Sequence, residues 1–232
     1  MRDLRLIRLG GYCALLAAAM QIIGNIMHPP IPRDTVAALG VIAGSGDWLI
    51  THLILSSSYF IFIPLAVGAA ASFRNDPPEL RVAVPLIIFG TALGVTQILT
   101  HLTLFRFLAV QYAATSDASV RATIVFVYDA FWPYNVALEV GHLTVIDLSA
   151  LLFGIAMFGE TIYPRWLALV GCAGGVVALI GLYIGTLVVR TTFGDVLFAV
   201  SLIPMVVFIV VTGIILVRLQ PVPSPARAGA EA

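Results

Sequence analysis

The chain has 232 residues, 60% of them hydrophobic and only 10% charged, with a mean hydropathy of +1.05 and no net charge. Soluble domains carry roughly a quarter charged residues and under half apolar ones, so a water-soluble core is excluded. No polybasic run exists, which argues against nucleic acid as a partner and leaves the lipid bilayer as the surroundings.

The first eight residues carry Arg2, Arg5 and Arg8 ahead of an apolar run. With Ala17–Ala19 as a cleavage site this would pass for a secretory signal. The run continues to Met27, however, long enough to span, and is read as an uncleaved first helix, Leu9–Met27. Pro29, Pro30 and Pro32 stop it. A second helix is predicted over Trp48–Ser72, ended by Asn75-Asp76-Pro77-Pro78, and a third over Val82–Phe105. Residues 106–133 are too many for a turn and too apolar for a loose loop. They are read as an interfacial segment of one or two helices lying at the outer surface, anchored by Trp132 and Tyr134. The fourth helix is Tyr134–Phe158, followed by the Tyr163-Pro164-Arg165 turn. The fifth, Trp166–Val189, holds Gly171, Gly174, Gly175, Gly181 and Gly185, for close helix packing or a homo-oligomer seam. The sixth is Val196–Val217, with Arg190 read as an anchor or partner of Asp195 beside it. Residues 218–232 form a tail that is disordered by composition.

The prediction is therefore an all-α, single-domain bundle of six transmembrane helices over residues 9–217. Eight arginines fall on one side and four on the other if both termini are cytoplasmic, which favours an N-in, C-in arrangement. Cys13 and Cys172 lie within apolar stretches and read as small hydrophobes, and no CxxC pair suggests a thiolate metal site.

Polar residues inside the bilayer are costly and usually turn inward towards a partner or a task. Four helices carry them at helical spacing: Gln21, Asn25 and His28; Trp48, His52, Ser56 and Tyr59; Gly90, Gly94, Gln97 and His101; Asn135, Glu139 and His142 with Ser149 beyond. Counting residues along each helix puts all four histidines at the same outer level, while the last two helices hold no His, Asn or Gln. The expectation is a polar pocket in the outer leaflet, with Asp47 and Asp129 at its border and Asp147 as its deepest carboxylate.

Four readings compete for this pocket. The plainest is hydrogen-bonded glue between helices. The second is a cofactor: a metal held by His52, His101, Glu139 and His142, or haem b between His52 and His101. The third is an enzyme acting on a lipid or isoprenoid, with Glu139, Asp147 and Asp129 as candidate acids. The fourth is transport, hinted at only by the echo of Thr51-His52-Leu53 in Thr100-His101-Leu102. Under all but the first, Asn25, His28, His52, Tyr59, Gln97, His101 and Asn135 would contact a small hydrophobic or amphipathic ligand.

The Arg8-Leu9-Gly10-Gly11-Tyr12 start and the stretch from Leu152-Phe153-Gly154 to Tyr163-Pro164-Arg165-Trp166-Leu167-Ala168 resemble bacterial membrane proteins grouped as domain of unknown function 4386. Length and helix number agree over about residues 8–217. The resemblance implies a bacterial inner-membrane protein and carries no activity or site residues, because that family has none assigned.

Overall fold

The computed structural model describes residues 3–184 and 192–220. Among these, six helices are long and apolar enough to cross a membrane, and no strand occurs. The chain is a multi-pass membrane protein. The 218–232 tail beyond Gln220, Gly185 and the Arg190–Asp195 pair lie outside the described residues and side chains.

Helix α1, Leu4–Met27, starts at Asp3, whose carboxylate accepts from the Arg5 and Leu6 amides at 3.0 and 3.2 Å. It satisfies donors that the first turn leaves free. A short helix α2, Thr35–Gly44, follows the proline-rich turn, capped likewise by Asp34 on the Ala37 amide. Helix α3 is Trp48–Ala70 and α4 is Pro78–Thr100, the latter opening on a proline whose missing N–H costs nothing there. Helix α4 runs through a π-helical turn, His101–Phe105, into α5, Arg106–Ala114. After three residues α6, Ala118–Met157, returns without a break, capped by Asp117 on the Ser119 amide at 2.8 Å. Helices α7, Arg165–Tyr183, α8, Thr192–Ser201, and α9, Ile203–Arg218, complete the chain.

The spanning helices close into a ring, each packing on the next in the order α1, α3, α4, α6, α7, α9 and back to α1. Glycines permit the closest approaches. A Cβ on Gly68 would sit 2.6 Å from the Gly10 Cα, and one on Gly154 would sit 2.6 Å from the Cys172 backbone nitrogen. Arg8 donates to the Leu219 carbonyl, so both ends of the bundle meet on one face. On that face Ser72 meets the Tyr163 hydroxyl at 2.5 Å and the Arg74 amide donates to Glu160, tying two loops together.

One sequence expectation changes. The 106–133 stretch is not a segment lying at the interface: it is the far end of the α4–α5 helix and the first part of α6. These helices have 37 and 40 residues, about 55 and 60 Å at 1.5 Å per residue, against a hydrocarbon layer of about 30 Å. Their ends must project beyond it as a helical hairpin. Pro133 does not start a helix as its type suggests, because α6 passes through it and forfeits one backbone hydrogen bond. The α7 glycines take the packing role expected of them: Gly171 faces Phe208 and Gly154, Gly174 faces Pro204, and Gly175 faces the Asp147 carbonyl and Leu151.

Outside the ring a second apolar core gathers Leu39 and Ile42 of α2, Trp48, Phe105, Leu108 and Ala109, and Ile124 and Tyr128 of α6. Helix α2 is fastened at both ends. Arg106 donates to the Ile42 and Ala43 carbonyls, which the end of a helix leaves without partners. Thr35 donates to Asp129 at 2.5 Å. This cap roofs the histidines.

Candidate metal centre and its cavity

Three of the four histidines converge. His28 follows the last turn of α1, His52 lies one turn into α3, and His101 opens the π-helical turn. One ligating atom from each lies within 4.8 Å of the other two. His52 Nε2 is 3.3 Å from His101 Nδ1. His52 and His101 are buried and His28 is half-buried.

The surroundings fix the tautomers of two rings. His52 Nδ1 lies 2.7 Å from the Trp48 carbonyl and His28 Nδ1 lies 2.9 Å from the Pro29 carbonyl. A carbonyl only accepts, so each Nδ1 carries the proton and each Nε2 presents a lone pair. Burial holds the His28 imidazole below its ordinary value, partly offset by the Pro29 carbonyl, so it stays neutral. Trp48 packs over the group, 4.1 Å from the His52 ring and parallel to the His101 ring at 6.1 Å. Its indole N–H donates to the His101 carbonyl at 3.2 Å, within the irregular turn, where π-type insertions often serve a site.

His101 sits differently. Because His52 Nε2 can only accept, His101 Nδ1 must donate across the 3.3 Å gap if nothing lies between them. That leaves His101 Nε2 as a bare acceptor. It is buried without a hydrogen bond, and so is Oδ1 of Asn135, the side chain that interacts with this ring.

A cavity of about 430 Å³ opens beneath, lined by His28, His101, Gln97, Asn135, Glu139 and His142 among others. His52 is wholly buried behind it. The sequence-derived metal set is corrected here. His28 joins His52 and His101, while Glu139 and His142 are outside the group. His142 has both nitrogens occupied: Nδ1 faces the Leu138 carbonyl at 3.2 Å and Nε2 meets the Tyr59 hydroxyl at 3.1 Å. It is a satisfied interior histidine.

Asn25 and Gln21 bond to each other at the cavity wall, and Gln21 also donates to Ser58 at 2.7 Å. Asp47 and Asp129 do not border the cavity. Both are exposed, the latter holding α2. Asp147 lines a second chamber beside the first, the two sharing Gln21, Asn25, Tyr59, Leu143 and Leu202 as lining residues. The sequence reading missed α2 as a roof, although Asp34-Thr35 before an apolar ten-residue run is a capped-helix signal. No protein-family model matches the chain, and no match emerges among curated proteins or among solved structures.

Proposed function

We propose that this is a metal-binding protein of the bacterial inner membrane, in which His28, His52 and His101 hold one divalent transition-metal ion at the head of the cavity. The observation that carries the reading is three imidazoles from separate segments with ligating atoms within 4.8 Å of one another. At metal–nitrogen distances of about 2.05 Å, a tetrahedral pair of ligands lies about 3.3 Å apart. His52 Nε2 and His101 Nδ1 have that spacing. The two Nδ1–H donations to backbone carbonyls are the outer-shell partners that ligating histidines ordinarily have.

The ion also resolves the one awkward contact. Coordination through His101 Nδ1 moves the ring proton to Nε2, which then donates to Asn135 Oδ1, so both orphaned groups gain a partner. Three histidines leave a fourth position towards the cavity, as sites that bind an exchangeable ligand do. Imidazole donors favour zinc, copper, iron or nickel over magnesium or calcium.

Hydrogen-bonded glue is the competing reading, because 3.3 Å also suits an N–H···N bond. Elemental analysis of protein purified in detergent, before and after exposure to zinc or cobalt, separates the two. We expect about one equivalent, and visible absorption from tetrahedral cobalt. Protein that neither carries nor takes up an ion at micromolar concentration is held together by hydrogen bonds alone.

A further inference from the structure

The second chamber, about 470 Å³, lies deeper in the ring and is lined by α1, α3, α6, α8 and α9. Its walls are mostly apolar, with Phe62, Ile146, Met205 and Ile209 among them. Asp147 is the only carboxylate among the described residues that line it. It is 2% exposed and makes no hydrogen bond or ion pair among the described residues, and its Oδ2 is buried with no partner. A carboxyl group in such surroundings forfeits several kcal/mol of hydration unless something repays it. Among the described residues nothing repays it: neither arginine nor histidine is among those that line the chamber.

We propose that this chamber binds a small lipophilic amine, its ammonium group paired with Asp147 and its apolar body held by the surrounding side chains. The chamber volume lies in the range that encloses small organic ligands. Two aromatic rings, Tyr59 and Phe62, line it with centroids 6.2 Å apart, and ring faces attract cations most strongly where water is excluded. Of the other polar groups of the lining, Gln21 and Asn25 bond to each other and the Tyr59 hydroxyl meets His142, so among the described lining residues Asp147 is the unsatisfied one. An ammonium group can meet the carboxylate as an ion pair, whereas a neutral alcohol offers it a single hydrogen bond, so an amine is favoured over an alcohol of the same shape. Pairing of an amine with Asp147 does not depend on an ion at the histidines.

The test compares 4-phenylbutylamine with 4-phenylbutan-1-ol, probes of matched size, by calorimetric titration of the purified full chain near pH 8. Wild type should bind the amine at least about tenfold more tightly than the alcohol. Asp147→Asn should abolish that preference while still binding the alcohol. Val206→Trp, which fills the chamber from α9, should weaken both and serves if Asp147→Asn does not fold. Equal affinity for amine and alcohol in wild type overturns the proposal. So does an amine preference that survives Asp147→Asn, or amine binding unaffected by Val206→Trp.

Discussion

Replacing each histidine by alanine in turn separates metal ligation from hydrogen-bonded glue. His28, His52 and His101 converge, whereas His142, as buried as His52 and His101, spends both nitrogens on Tyr59 and Leu138. Four-ligand zinc sites release about 10–16 kcal/mol on binding, or roughly 3–4 kcal/mol per ligand. Losing one imidazole should therefore weaken binding about 10²–10³-fold. His142→Ala should change it by no more than about threefold, since that ring is no ligand, although losing its hydrogen bonds should lower stability by about 1 kcal/mol each. Little rearrangement is required. The ligating atoms lie at most 4.8 Å apart and need to approach about 3.3 Å, a shift of about 1.5 Å at most. His28, on extended backbone between a helix end and a proline, is the ring free to make it. The assay is competition for zinc against a chromophoric chelator at pH 7.5, with helix content followed in parallel. If His142→Ala weakens zinc binding as much as His52→Ala, or His28→Ala leaves it unchanged, the three-histidine assignment is wrong.

Asn135→Ala removes the acceptor that metal binding would give His101 Nε2, and should lower zinc affinity about 10–100-fold without loss of fold. Arg106→Leu frees the end of α2; charge-assisted hydrogen bonds contribute about 1.5–3 kcal/mol, so amide exchange over residues 35–44 should quicken by one to two orders of magnitude by mass spectrometry. Gly68→Val drives a side chain into the Gly10 backbone and should cost at least about 1–3 kcal/mol in thermal unfolding, whereas Gly40→Ala, with open space around it, should be neutral or slightly stabilising. The Ser119 hydroxyl and amide, then the Val120 amide, hold the Asp117 carboxyl below its ordinary value. The unfolded end of α6 therefore takes up a proton at a higher pH than the folded one. The cap's contribution is present above the ordinary carboxylate value and lost as pH falls through the lower folded one. The protection of the amides at residues 119–121, measured as exchange relative to the intrinsic rate at each pH, should fall on acidification in wild type and change much less in Asp117→Ala.

The membrane architecture was legible because it rests on composition and length, which tertiary context cannot override: uninterrupted apolar runs have no other stable solution in a bilayer. The shared level of the histidines was legible for a related reason, since rise per residue converts sequence position into depth. Azimuth was not. Glu139 and His142 lie at a suitable depth and at ligand-like spacing on one helix, yet they face the cavity below the imidazole group. His28 was read as a wall residue because it falls beyond the helix, where periodicity gives no direction, and its position depends on the proline turn. The start of the fourth helix at Tyr134 was misplaced because α6 runs on through Pro133, where packing against neighbouring helices outweighs the local cost of a proline.

The roof and the cavity follow from the same two departures from ideal helix. The α4–α5 rod carries His101 into the ring and, one turn later, Phe105 and Arg106 out to α2, and the π-helical turn lies between these tasks. Trp48 spans the junction: its ring covers the histidines, its indole nitrogen holds the turn's first carbonyl, and its own carbonyl holds His52. Trp48→Phe keeps the covering ring and most of its apolar contact but removes the indole donor to the turn. If the turn sets the position of His101, that single atom should matter to the site more than to the bundle. Trp48→Phe should then lower zinc affinity about 10–100-fold, in the range for outer-shell partners, while thermal stability falls by only about 1 kcal/mol. Equal losses in Trp48→Phe and in a variant that merely thins the outer core, such as Leu108→Ala, would show that packing alone, and not the indole bond, holds His101 in place.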